Sequence, residues 1–176
     1  ATGIMLKKVP ALPYGYNYDY FNPSVIRDLA KAENGMLTVP TGMRYRVLML
    51  DSNVRHMSID ILRKIKEFAD AGVVICGSKP LKLASNTGGD EDEFKALVND
   101  IWNSGRKNVN AGVDAAKVLT SIGLKPDFSI VSGNGKDIKF VHRTLPYGEI
   151  YWVTNLSKED RNITASFKTS GKKPVI

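Results

Sequence analysis

Cysteine, histidine and long apolar runs are what this chain has least of. A single cysteine, Cys76, in 176 residues permits no internal disulfide and cannot define a zinc site by itself. Only His56 and His142 are available to any histidine-dependent chemistry. No stretch approaches the roughly 18–20 apolar residues of a membrane-spanning helix. The opening residues lack the apolar core of a secretory leader, because Met5-Leu6-Lys7-Lys8 gives way to Val9-Pro10 and tyrosine-rich sequence. Phosphate-cradling loops are missing too: Gly88-Gly89 and Gly133-Asn134-Gly135 read as isolated turns without the strand and helix that such loops need.

The remainder is ordinary globular material. Hydrophobic residues at 43% and charged residues at 24% exclude disordered, collagenous and coiled-coil classes. The net charge of +7 is spread along the chain, and no recognition-helix cluster, RNP-like aromatic motif or finger spacing accompanies it. It reads as a mildly basic solvated surface, and nucleic acid is not an expected partner.

Three segments are legible. Residues 1–21 form an extended, aromatic-rich lead-in carrying Tyr14, Tyr16, Tyr18, Tyr20 and Phe21. Residues 22–130 alternate helices with buried strands. A helix is expected from Asn22-Pro23-Ser24 to Ala30 or Lys31, with Asn22 as cap and Pro23 in the first turn. A short strand follows over 36–39. The strongest strand spans 44–50, where the unbroken run Val47-Leu48-Met49-Leu50 predicts burial on both faces, as in a parallel sheet. Ser58 caps a helix with Ile61, Leu62, Ile65 and Phe68 at helical spacing, and Gly72 stops it. A buried strand, Val73-Val74-Ile75-Cys76, leads into a polar loop over 77–89. Asp90-Glu91-Asp92-Glu93 is a helix start rather than a metal cluster, because acids complement the positive end of the helix dipole. A short strand near Val109 and a helix over 114–122 complete this part. Residues 131–176 read as antiparallel strands, the opening of a β-sandwich. The expected fold is α/β: a flavodoxin-like or class I amidotransferase-like parallel sheet with flanking helices, followed by antiparallel strands. The chain reads as a piece of something longer.

Candidates for chemistry are few. Cys76 ends a buried strand before Gly77-Ser78, as a nucleophile on a strained elbow would, and His142 is its possible base. The alternative is a small buried hydrophobe at a strand end. Asp51, Asn53 and His56 follow one parallel strand, and Ser78, Lys79 and Asn86 follow the next, where α/β sheets place ligands. A carbohydrate-binding role would use exposed aromatics such as Tyr147, Tyr151 and Trp152; strand alternation sends Tyr151 and Trp152 to opposite faces. Two carboxylates facing each other across a cleft would suit glycoside hydrolysis. Glu149 lies on a strand and Glu67 on a helix, and neither has a partner visible in the sequence. No metal-ligand pattern is present.

An ordered set of segments resembles a known family. It comprises Tyr18-Asp19-Tyr20-Phe21-Asn22, the Val25-Ile26 helix start, residues 35–50, Met57, Leu62-Arg63-Lys64-Ile65, residues 71–80, His142-Arg143 and residues 150–155. Together these resemble the region after the catalytic barrel in bacterial α-L-rhamnosidases of glycoside hydrolase family 106, over roughly residues 16–157. Cys76 departs from the small or non-nucleophilic residue that the resemblance leads one to expect. The resemblance implies an accessory domain similar to the amidotransferase-like domain of large β-galactosidases. The two catalytic glutamates and a calcium site would belong to the barrel, so no catalytic position or cofactor is expected in this chain. It further implies neighbouring domains of the parent glycosidase as partners, carbohydrate as a possible ligand, breakdown of plant polysaccharides, and a periplasmic or extracellular setting.

Overall fold

The computed structural model describes residues 13–84, 89–112, 114–173 and 175. They fall into two compact units: Tyr20–Ile122 builds the first, and Pro13–Asp19 joins Gly123–Ile176 in the second.

The first unit opens with a five-residue π-helical turn, Val25–Leu29, where the sequence predicts a longer helix. Asn22 does cap it, accepting from the Val25 amide at 3.0 Å. The turn closes when the Ala30 amide reaches the Val25 carbonyl at 2.8 Å, and Ala30 is already extended. Only Ile26 and Ala30 of this segment are buried, too short an apolar stripe to hold a longer helix. The chain passes directly into β1 (Lys31–Glu33), which pairs antiparallel with β2 (Met36–Thr38).

The expected strand over 44–50 is two strands. β3 (Arg44–Tyr45) pairs with β2, while β4 (Val47–Met49) belongs to a separate parallel sheet. The break at Arg46 sends Tyr45 against Phe21, ring centroids 4.9 Å apart and nearly perpendicular. β4 behaves as its composition requires. Leu48 enters the main core, while Val47 and Met49 pack on its other side against Cys76, Ala115 and Val118.

β5 (His56–Met57) precedes α1 (Ile59–Asp70), and β6 (Val74–Cys76) then lies parallel to β4. β7 (Lys82–Leu83) pairs with β5, α2 (Glu91–Trp102) crosses over, and β8 (Val109–Asn110) joins β6, giving the parallel order β4-β6-β8. α3 (Ala115–Ser121) ends the unit. Asp90 caps α2 by accepting from the Asp92 amide at 2.8 Å, so the acidic run is a helix start. Ser58 sits at the cap position of α1, but its hydroxyl bonds the Asp60 carboxylate instead of the backbone. Gly72 leaves α1 at φ +84°, a left-handed conformation that glycine adopts at little cost. Leu62, Ile65, Phe68, Val73, Ile75 and Ile101 are fully buried where the helices meet the sheet. Each such side chain contributes about 1.5–3 kcal/mol through area removed from water.

In the second unit, β9 (Phe128–Gly133) pairs antiparallel with β12 (Ile163–Phe167), and β10 (Ile138–Leu145) with β11 (Gly148–Asn155). These strands are antiparallel, as expected for residues 131–176. The two pairs meet through rings: Phe128 stacks on Phe140 at 5.0 Å and meets Phe167 edge-on at 5.2 Å. Tyr14 packs edge-on against Phe128 and Phe140. The lead-in is held by backbone as well, since the Asp127 amide donates to the Gly15 carbonyl at 2.7 Å. The approach is close enough that a Cβ on Gly15 would fall 2.3 Å from the Phe128 carbonyl oxygen.

Candidate functional site

The carboxyl edge of the parallel sheet gathers most of the expected polar residues. The Leu50 amide donates to the Cys76 carbonyl at 2.8 Å, fixing the ends of β4 and β6 side by side. Asp51 follows at once, but its carboxylate is engaged locally: Oδ1 accepts from the backbone amide of Asn53 at 2.8 Å and from its side chain at 2.9 Å. These two residues build a turn. Ser78 and Lys79 leave the neighbouring strand and are exposed. His56 is also exposed and sits apart on β5, opposite Lys82. Asn86 lies outside the described residues. The structure therefore brings Asp51 and Asn53 to the same edge as Ser78 and Lys79, with His56 on the separate β5–β7 pair.

Cys76 is buried at the end of β6. Gly77 takes φ +130°, and a Cβ there would lie 2.6 Å from the Leu50 carbonyl oxygen. The tight turn foreseen after the cysteine is present, but an extended segment and β7 follow it, not a helix. Burial first, and then the charge of Asp114, push the Cys76 thiol up from its ordinary value. That direction is opposite to the activation of a nucleophile.

His142 belongs to the second unit and has its own company. Its Nδ1 lies 3.4 Å from Asp127 Oδ2, and its Nε2 bonds Glu149 Oε2. The imidazole stacks flat on Tyr151, centroids 4.2 Å apart and planes within 4°. Glu149 also accepts from Thr144 at 3.2 Å and from Lys172 at 3.2 Å. Asp127 also meets Lys168 at 3.3 Å and Asn17 at 3.2 Å. Asp127, Glu149 and Tyr151 thus form a connected cluster with His142 that sequence reasoning did not assemble. The signal was the two-residue connection Pro146-Tyr147, which sets His142 opposite Tyr151 and Thr144 opposite Glu149. Glu149 is engaged as described, and Glu67 pairs with Lys64 at 2.8 Å.

The electrostatics of the acids point one way. Hydrogen bonds from His142 and then Lys172 hold the Glu149 carboxyl below the usual range. Arg27 does the same for Asp28, Ser58 for Asp60, and Lys66 with Arg106 for both Asp70 and Asp100. A glycosidase general acid needs the opposite, a carboxyl kept protonated by apolar or like-charged surroundings. Among the described residues, no group of three or more His, Cys, Asp or Glu is arranged to hold a metal ion.

With this geometry in view, likeness to known proteins becomes informative. The α-L-rhamnosidase model of glycoside hydrolase family 106 matches residues 1–176. The chain belongs to this family. A rhamnosidase structure from Novosphingobium sp. PP1Y is similar at a TM-score of 0.86 and 31% identity, covering 94% of this chain and 17% of that one. A protein from Formosa agariphila named "Putative beta-glucuronidase" is 33% identical over 177 residues, covering 99% of this chain and 15% of its own. This family 106 chain therefore corresponds to about one sixth of these relatives, a domain-sized region of much larger glycoside hydrolases. No helix among its described residues is long and apolar enough to cross a membrane.

Proposed function

We propose that this chain is an accessory, non-catalytic region of a large exported glycoside hydrolase that releases α-L-rhamnose from plant-type polysaccharides. The observation that carries the reading is the pairing of a match along the whole chain with coverage of only 15–17% of the relatives. The acids support it, because every described carboxyl with a displaced pKa is held ionised by a donor or base. In this reading the catalytic carboxylates lie in another part of the enzyme, with any calcium site beside them. The α/β unit is an amidotransferase-like scaffold without a working cysteine, since the Cys76 thiol is buried and its pKa is raised. Its role is to buttress the catalytic domain.

The purified chain, incubated with an aryl α-L-rhamnoside, is expected to release no aryl alcohol above the buffer rate. Turnover that disappears on substituting Glu149, His142 or Cys76 would overturn the reading.

A further inference from the structure

The two faces of the β10–β11 hairpin differ sharply. Phe140, His142, Glu149 and Tyr151 point inward to the rings and the ionic cluster. The alternate positions Lys139, Val141, Arg143, Ile150, Trp152 and Thr154 share the outer face, with Val141 opposite Trp152 and Arg143 opposite Ile150. Trp152 is 72% exposed, and Val141 and Ile150 are about half exposed at 46% and 48%. An indole this open gains nothing for the fold from its size.

The charge on this face is of one sign. Lys139 and Arg143 flank Val141 on the same side of β10, within diagonal reach of Trp152, about 7–8 Å for such positions. No carboxylate shares the face. Among the described residues, neither cation is in an ion pair, whereas Lys66, Arg106, Lys168 and Lys172 all meet acids. The centre of a face meant for another protein domain is depleted of lysine. A flat indole between two unpaired cations instead complements a ring with an apolar face and a carboxylate.

We propose that this outer face binds a carboxylate-bearing sugar chain, a polyuronate. Trp152 stacks under a pyranose ring, and Lys139 and Arg143 pair with its carboxylates. The inference rests on the reading of the chain as part of a polysaccharide-acting enzyme and assigns that enzyme a secondary contact for acidic polymer.

The test titrates the purified chain with polygalacturonate and, separately, with its methyl ester, reading intrinsic fluorescence and migration in affinity gels. Binding to the acid is expected, with the ester at least about tenfold weaker. Trp152→Ala should weaken binding roughly tenfold, with Trp152→Phe intermediate, because the stacking surface is what is removed. The double substitution Lys139→Ala/Arg143→Ala should abolish the preference for acid over ester, as should about 1 M salt. Melting curves of each variant establish that the fold is intact, and the charge variants test the site even if Trp152→Ala unfolds. Equal binding of ester and acid, or affinity unchanged in Trp152→Ala, would overturn the proposal. So would a Trp152-dependent dimer in sedimentation, which would make the face a contact between copies. Rhamnoside hydrolysis by the chain would instead sink the non-catalytic reading and leave this binding result untouched.

Discussion

At the scale of single residues, Gly77 shows how backbone space limits what can stand beside a buried cysteine. Two obstacles coincide there: φ of +130°, and the Leu50 carbonyl oxygen 2.6 Å from where a Cβ would sit. Gly42 has only the first, with φ +84° and open space around it. Gly77→Ala should therefore cost about 3 kcal/mol or more, combining backbone strain with displacement of β4. Gly42→Ala should cost roughly 1 kcal/mol. Urea denaturation of both variants checks the difference, and equal losses would mean that the strand can give way. The positions of Gly72 and Asp90 were legible because a helix stop and a helix cap are local chemistry. The environment of His142 was not, since its partners Asp127 and Glu149 come from the start of β9 and from across a hairpin.

At the scale of elements, α1 and α2 are joined by charge as well as by apolar packing. Lys66 lies 2.7 Å from Asp70 and 2.9 Å from Asp100, and Arg106 donates to both acids. Lys66 and then Arg106 hold these carboxyls below their usual range, so the unfolded chain takes up protons at a higher pH than the folded one. Their contribution is complete above the unfolded carboxyl value of about 4 and is lost as pH falls through the lower folded values. That contribution should be level from neutrality to about pH 5 and fall below it. Asp70→Asn/Asp100→Asn should flatten that fall, as measured by urea midpoints across pH; an unchanged slope would mean that the pairs add nothing to folding. The helices α1–α3, the strands β4, β6 and β8 and the antiparallel strands of the second unit could be read from period and punctuation; the parallel pair β5–β7 could not, since both strands fall where the sequence reads as loop. The break at Arg46 could not, because Val47-Leu48-Met49-Leu50 and Arg44-Tyr45 are both good strand sequence. Which sheet each joins is decided by Phe21 and Cys76, far along the chain. The π-helical turn at Val25–Leu29 escaped for the same reason, since Asn22-Pro23-Ser24 starts a helix of any length equally well.

At the scale of the whole molecule, the second unit is assembled from both sides of the first. Tyr16 donates to the Leu124 carbonyl at 2.8 Å, and Tyr14 to that of Ile138 across 124 positions of sequence. Contacts between such distant positions form late, because loop closure must come before they stabilise anything. In refolding followed by pulsed hydrogen exchange, the Ile75 amide, which donates to Asn108, should gain protection before the Asp127 amide, which donates to Gly15. Simultaneous protection would show that the units fold as one. The carbonyl of Gly15 receiving that amide has a consequence for biosynthesis. Synthesis runs from the amino end, so the first unit is complete once Ile122 has left the ribosome. Tyr14 and Gly15, made before Tyr20–Ile122, wait longest for their places. The Gly15 carbonyl, made before the first unit, meets the Asp127 amide only after that unit is complete.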